Sequence, residues 1–363
     1  MKTLTTLVVY ALAIGLPAVL SSRAEAQDVI LRGRDFYLDG RPWLPKGVDV
    51  EAFNRPAVIP SAPKWMNDAG HLQGRHWWGA SEIAALKSVF GATIVRITVS
   101  QPALDPQSSI YDPKYPDELL KAFSDARKAG LIVVVSMDAQ AENGLPDLPC
   151  MPNDSTARAW KTLAPSLLKD AGVIFELFNE PCRANWDQGR KDWAKGMQPL
   201  IDMLRAMGAK NILLVDGLGY AQSTNDLFPL LHDAIPNRLA LAVHPYFDEL
   251  AKEGAAQPDA YFTAHFGKDA DRYPIIATEW NATETNGCAG ARTPAIALAL
   301  MRYLQAHRIG LIGWGIDSGY GKLVKDHDHY TPTDYQDFRG CLDKAKGVGP
   351  SGGGRLLTNF PRN

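Results

Sequence analysis

Beyond its first 26 residues the sequence has no apolar run long enough to cross a bilayer, no C-x-x-C pair, no internal repeat and no linker-like stretch. The first absence excludes further membrane spans, and the second removes the usual zinc spacing. The last two argue against repeat architectures and against a chain divided into separate domains. An excess of one charge is missing as well. Lys and Arg number 38 against 40 Asp and Glu, a formal net charge of −2. Nothing in that balance draws the chain to nucleic acid or to an anionic membrane.

The first residues read as an address. Lys2 gives a positive start, Leu4 to Leu20 are mostly apolar, and Ala24-Glu25-Ala26 forms an A-x-A cleavage site before Gln27. Residues 1–26 are therefore expected to be a signal peptide, with a secreted or periplasmic product and no stable membrane insertion after cleavage. An uncleaved anchor is the other reading, but no polybasic flank marks a stop-transfer signal. Cys150, Cys182, Cys288 and Cys341 all lie in the exported part, and an even count suits disulfides, four buried free thiols being the alternative. The 9 Trp and 12 Tyr serve mostly as packing, although their faces also suit stacking on sugars.

Roughly 340 residues remain after cleavage, enough for two small domains or one large α/β architecture. Val29 to Asp49 reads as a β-hairpin around Asp39-Gly40 leading into a buried strand that ends near Val50. Thereafter apolar β-branched runs alternate with helical-period stretches. Strands are expected over Thr93 to Val99, Leu131 to Met137, Val173 to Phe178, Ile212 to Asp216, Leu239 to His244, Ile275 to Glu279 and Gly310 to Trp314. Helices are expected over Ser81 to Phe90, Asp117 to Ala129, Thr156 to Asp170, Lys191 to Met207 and Thr293 to His307. Continuous apolar strands separated by helices mean a parallel sheet covered by helices. Counting the first strand there are eight, which predicts a single (β/α)8 TIM barrel over residues 27–363 with an N-terminal β-hairpin. The Pro- and Trp-rich loop Asn54 to Trp78 follows the first strand, where such a barrel keeps function. The Gly-rich stretch from Gly347 reads as a turn into a closing segment, because Leu356, Leu357 and Phe360 follow.

Two carboxylates stand out. Glu180, in Phe178-Asn179-Glu180-Pro181, follows the fourth barrel strand, and Glu279, in Thr278-Glu279-Trp280, follows the seventh. Barrel strands deliver catalytic groups at their C-terminal ends, and strands four and seven lie on opposite sides of the opening. Two carboxyl groups facing each other across a pocket are what glycosidic cleavage needs. A structural ion pair is the bland reading for either one alone.

With Arg96 on strand two, His244-Pro245-Tyr246 after strand six and Trp314 on strand eight, these motifs resemble family 5 of the glycoside hydrolases over nearly the whole mature chain. The resemblance implies a retaining mechanism, no cofactor, no metal, a monomer, and a β-linked polysaccharide or oligosaccharide as partner. It matches Glu180 to the acid/base, Glu279 to the nucleophile and Asn179 to the group that binds the sugar 2-hydroxyl. His244 and Tyr246 match the pair that orients the carboxylates, and Trp314 the platform under the sugar. Arg96 matches the arginine beside the nucleophile, whose charge is expected to keep Glu279 ionised. Trp77, Trp78, Trp186 and Tyr320 are candidates for extending the cleft. One departure is Asp138, standing at the end of strand three where the family carries histidine. It accepts hydrogen bonds but cannot donate them when ionised, which leaves the sugar preference open.

Neighbouring strand ends predict the disulfides Cys150 to Cys182 and Cys288 to Cys341. Two other motifs carry less. Gly349-Pro350-Ser351-Gly352-Gly353 fits G-x-S-x-G but lacks the strand and helix a nucleophile elbow needs. Asp326-His327-Asp328-His329 could ligate a metal, but alternation in an extended loop points successive side chains apart. The leading functional reading is an endo-β-1,4-glucanase of the cellulase type. An exo-β-glucosidase, a β-mannanase, a β-1,3-glucanase and a non-catalytic carbohydrate-binding barrel are the alternatives.

Overall fold

The computed structural model describes residues 27–56, 77–140, 145, 148–183, 186–252, 256–281, 288–316, 323–341 and 351–362. The expected signal peptide, most of the Asn54 to Trp78 loop, Tyr320 and residues 349–350 of the G-x-S-x-G run lie outside them.

Strands β1 (Val29–Arg32), β2 (Asp35–Leu38) and β3 (Arg41–Trp43) form a small antiparallel sheet. The turn between β2 and β3 is Asp39-Gly40, with φ of 51° and 76°, the left-handed pair that a two-residue hairpin requires. The expected hairpin thus gains a third strand, β1, through an additional turn at Gly33.

The other eight strands close into a parallel barrel: β4 (Lys46–Val50), β5 (Ile94–Ser100), β6 (Ile132–Asp138), β7 (Val173–Glu176), β8 (Leu213–Asp216), β9 (Leu239–Val243), β10 (Ile275–Ala277) and β11 (Gly310–Gly313). β10 closes on both β9 and β11, and β11 pairs with β4. The fourth and seventh barrel strands each end two residues earlier than expected, so Glu180 and Glu279 stand in the loops just past them.

The period of two along each strand sorts side chains to two sides. Val95, Ile97 and Val99 of β5 and Val133, Val135 and Met137 of β6 join the large core under the helices. Ile94, Ile132, Val134, Ile174, Leu214, Ala242, Ile276 and Ile312 form a second cluster inside the barrel, plugged from below by Val29, Leu31, Phe36 and Trp43 of the small sheet. Two residues further along the same inward rows the character changes to Arg96, Ser136, Glu176, Asp216 and His244, all fully buried. The barrel is therefore apolar at its lower end and charged at its upper end.

Helices Ala80–Ser88, Tyr115–Lys128, Asp154–Leu163, Trp186–Ala206 and Thr293–Ala306 lie where periodicity expects them, within a few residues. The third stops at Leu163 and passes into a short 3-10 turn, Ala164–Ser166, because Pro165 lacks the N–H that continuation needs. Its start is fixed by Asn153, whose Oδ1 accepts from the N–H groups of Ser155 and Thr156. Sequence periodicity missed the helical stretch from Pro258 to Ala270 between β9 and β10, which is broken by a π-turn at Thr263–Gly267. Helix Gly354–Asn359 bears out the closing segment: Lys46 Nζ donates to the carbonyls of Thr358 and Phe360 at 2.8 and 2.6 Å.

Both expected disulfides are present, Cys150–Cys182 and Cys288–Cys341. The first ties the segment after β6 to the residue two beyond Glu180, and the Cys182 N–H also donates to the Cys150 carbonyl at 3.1 Å. A loop closed between positions 32 apart in sequence is worth about 3.5 kcal/mol in the chain-entropy account. The Cys150→Ser/Cys182→Ser variant is therefore expected to lose that much stability in urea unfolding. A loss under about 1 kcal/mol would mean that the loop is already ordered in the unfolded chain.

Candidate active site

Arg96 stands on β5 at the start of the charged layer and donates all five of its N–H groups. Nε reaches Glu176 Oε2 at 2.6 Å, and Nη1 reaches Asp49 Oδ2 at 2.9 Å and Glu279 Oε2 at 3.1 Å. Nη2 reaches Ser136 Oγ at 2.9 Å and Asn179 Oδ1 at 2.6 Å. Burial works against its charge, but Glu176, Asp49, Glu279 and Asp216 outweigh that and hold the guanidinium far above its ordinary value.

Glu180 has φ of 52°, a left-handed conformation that costs a non-glycine residue about 1 kcal/mol or more. Two bonds hold the segment there: Asn179 N–H donates to the Met137 carbonyl at 2.8 Å and Glu180 N–H to Asp216 Oδ2 at 2.9 Å. The Glu180 carboxylate is gripped from both sides, with Oε1 at 2.9 Å from His244 Nδ1 and Oε2 accepting from Gln140 Nε2 at 2.9 Å. Glu279 accepts from Arg96 and, on Oε1, from the Tyr246 hydroxyl at 3.0 Å. One oxygen of Glu180, one of Glu279 and a His244 nitrogen lie within 4.8 Å of one another.

His244 lies between the two carboxylates, 3.7 Å from Glu279 Oε2, with Nε2 at 3.2 Å from Thr278 Oγ1. Burial lowers its pKa from 6.5 to about 4; Glu279 and Glu176 oppose this and Arg96 adds to it, so the imidazole is neutral at pH 7. Burial, then the charges of Glu279 and Glu180, push the Tyr246 hydroxyl far up, so it stays a donor. Arg96 does pull the Glu279 carboxyl down as expected, but the net shift runs the other way. Burial is the largest influence and raises it, and the charge of Glu180 adds, against the pull of His244, Arg96 and Tyr246. Arg96 shares its charge among three carboxylates, so it limits that rise without reversing it.

Asp138 closes β6 and is buried, with Oδ1 accepting from Asn179 Nδ2 at 3.1 Å. Asn179 is thus fixed at both ends of its amide, by Arg96 on oxygen and by Asp138 on nitrogen, leaving one N–H. Trp314 follows β11, and its indole N–H donates to the Glu51 carboxylate. Trp77 is 39% exposed and stacks on His327 with centroids 4.4 Å apart, while Trp78 packs edge-on against Phe53. Trp186, 41% exposed, opens the helix that follows β7.

Sequence reasoning missed Asp49, Glu51, Gln140, Glu176, Asp216, Ser136 and Thr278. A signal existed for the charged ones on strands: an acid inside an otherwise apolar run, two residues past an inward Ile174 or Leu214. Among the described residues three acidic groups have metal-ligand spacing: Glu176, Asp216 and His244; Glu180, His244 and Glu279; Asp49, Glu51 and Glu279. Arg96 reaches a carboxylate in each of them and supplies positive charge at the place a cation would take. Asp326 to His329 is not among these groups; Asp326 Oδ1 accepts the His329 N–H within a turn, and His327 packs on Trp77.

The model of the cellulase family, glycosyl hydrolase family 5, matches residues 51–319. The chain belongs to glycosyl hydrolase family 5. It is a glycoside hydrolase acting on β-linked polysaccharides. No curated protein sequence matches it. Among solved structures, a β-glucanase from Saccharophagus degradans in complex with cellotetraose shares 20% identity, covering 84% of this chain and 89% of that one, with a TM-score of 0.65. A β-mannanase from Thermomonospora fusca shares 20% identity over 85% and 92% of the two chains with a TM-score of 0.58. The catalytic domain of a Thermobifida fusca endoglucanase shares 15% over 91% and 96% with a TM-score of 0.59. At these identities the likeness is one of fold, and the barrel is common to all.

The buried histidine makes the hydrolase pH-sensitive in a definite direction. A group whose pKa is lowered on folding contributes stability that is complete above its unfolded value of 6.5 and is lost as pH falls through about 4. That contribution is on the order of 3 kcal/mol. Between pH 7 and pH 4, urea unfolding of the wild type is expected to lose about that much more than His244→Gln does. Equal losses in the two proteins would show that His244 titrates alike folded and unfolded.

Proposed function

We propose that the protein is an exported, retaining endo-β-1,4-glucanase in which Glu279 is the nucleophile and Glu180 the acid/base. One observation carries the retaining reading: oxygens of Glu180 and Glu279 lie within 4.8 Å of each other. A closest approach this short suits carboxyl groups about 5 to 5.5 Å apart rather than the about 6.5 to 9.5 Å of an inverting pair. Division of labour follows from the partners. Glu279 accepts hydrogen bonds from Arg96 and Tyr246, both of which favour the anion that must attack. Glu180 faces a neutral histidine and an amide, neither of which forbids it a proton.

In the first step Glu279 attacks the anomeric carbon, the glycosidic C–O bond breaks, and Glu180 gives its proton to the leaving oxygen. In the second, Glu180 takes a proton from water, whose oxygen attacks the same carbon and expels Glu279. The remaining N–H of Asn179 would hold the sugar 2-hydroxyl, and Trp314, with its ring plane fixed by Glu51, would carry the sugar face. An exposed Trp77 and Trp186 at the rim suit a chain that runs past the site, which supports endo action. Two disulfides suit an oxidising compartment and so support export.

The roles are separable. With an activated aryl glycoside Glu180→Ala is expected to form the intermediate and stall, and added azide is expected to restore turnover as the β-glycosyl azide. In Glu279→Ala only the α-azide is expected. Product configurations the other way round would reverse the two assignments.

Substrate choice is tested on a panel of β-1,4-glucan, β-1,3-glucan, mixed-linkage glucan, mannan and xylan with product lengths resolved. Short ladders from β-1,4-glucan are expected. Mannan as the preferred substrate, or a single small product, would replace the endoglucanase reading. Because Asp138 grips the Asn179 amide, Asp138→His is expected to change the ranking of glucan against mannan or to move the pH profile while the fold is retained. An unchanged ranking and profile would remove Asp138 from sugar recognition.

A further inference from the structure

The upper layer of the barrel holds more acid than its cation can balance. Asp49, Glu176 and Asp216 are fully buried and Glu279 nearly so, while Arg96 is the one fixed positive charge among them in the described residues. Its N–H groups reach Asp49, Glu176 and Glu279, and none reaches Asp216. Four ionised carboxylates around one guanidinium would leave three uncompensated charges in a region largely shielded from solvent, an arrangement costing many kcal/mol.

The hydrogen-bond pattern indicates where the excess is removed. Glu176 Oε2 is taken by Arg96, and Asp216 Oδ2 by the Glu180 N–H, with His244 Nε2 at 3.8 Å. Glu176 Oε1 and Asp216 Oδ1 are buried and accept from no protein donor among the described residues. These residues close the adjacent strands β7 and β8, and the two side chains are within hydrogen-bonding reach of each other. A pair of buried oxygens with no donor between them is satisfied by one hydrogen, carried by one of the acids.

We propose that Glu176 and Asp216 share a single proton, carried on Asp216, and that this acid–carboxylate pair is the positioning device behind the acid/base glutamate. The negative charge stays on the Arg96 side. A neutral Asp216 still accepts the backbone N–H that fixes Glu180 in its left-handed conformation, without setting an anion beside His244. The titration tendencies agree. Burial resists ionisation of Glu176, but the charge of Arg96, the nearby His244 ring and its hydrogen bonds prevail and bring it to about 2, whereas burial and the charge of Glu176 drive Asp216 well above its ordinary value. A proton missing from Asp216 would raise the proton affinity of His244, and an imidazolium 2.9 Å from Glu180 would weaken its hold on the proton it must deliver.

The proton count does not depend on the roles given to Glu180 and Glu279; only the activity arm of the test rests on them. Infrared difference spectra at pH 7 of Glu180→Gln, which removes any signal from that carboxyl, are expected to show a buried protonated-carboxyl C=O band that disappears when Asp216→Asn is added. Absence of the band overturns the proposal, as does its survival in the double variant or a divalent metal bound one-to-one with the wild-type protein. In the activity arm the two isosteric amides are expected to differ. Asp216→Asn donates to Glu176 through its amide and keeps the acceptor for Glu180, so its loss of kcat/KM is expected to be several-fold smaller than that of Glu176→Gln, with the acid limb of the pH profile left in place. Glu176→Gln forces the charge onto Asp216 beside His244, and is expected to lower kcat at least 10-fold and to move the acid limb of the profile upward. Equal losses in the two variants, both folded by circular dichroism, would reduce the pair to a structural contact and overturn the proposal.

Discussion

Everything at the top of this barrel depends on one buried guanidinium. Arg96 is fully buried, and its planar fork distributes five N–H groups over Glu176, Asp49, Glu279, Ser136 and Asn179. Lysine offers three donors from a single nitrogen and could not span five partners on different elements. These partners sit on or just beyond β4, β6, β7 and β10, so one side chain fixes the mutual placement of four strand ends. Such a cluster is costly to desolvate, and its visible consequence here is the placement of those strand ends.

The two glutamates are chemically identical, and the fold makes them different. Glu279 lies under Arg96 and Tyr246, donors that favour its anion. Glu180 is turned out of its loop by a left-handed backbone and meets a neutral imidazole and a carboxamide. Pairs of carboxyl groups whose surroundings separate their protonation states are the general way a single fold supplies acid and nucleophile at one pH. The loop that carries Glu180 is tied at three points, by Asp216, by the Met137 carbonyl and by the Cys150–Cys182 disulfide, which would suit the acid/base role proposed for it.

Much of this was legible in the residues. The eight strands follow from β-branched runs, because strands buried on both faces are apolar throughout. Asp39-Gly40 announced its turn, and Leu356, Leu357 and Phe360 announced a segment that returns to the core. The helical stretch Pro258 to Ala270 was not legible, since a π-turn at Thr263–Gly267 shifts its buried positions off the 3.6-residue period. Glu176 and Asp216 were passed over because each is a single charge at the end of an apolar strand, and periodicity averages such residues away. The effect of burial on Glu279 was also beyond a reading of motifs, since it depends on how much water the surrounding chain removes.

The sequence by itself determined the order of elements, the barrel, the two glutamates and their companions Arg96, Asn179, His244 and Tyr246, because hydrophobic period and short motifs are local properties of a chain. Tertiary structure alone decided the distances between groups far apart in sequence. Arg96 and Glu279 are 183 positions apart and meet at 3.1 Å because the barrel closes. The same closure removes water from Asp216 and His244 and sets which acids keep their protons. Protonation in a buried cluster is a property of the whole enclosure, and no single segment of the chain contains it.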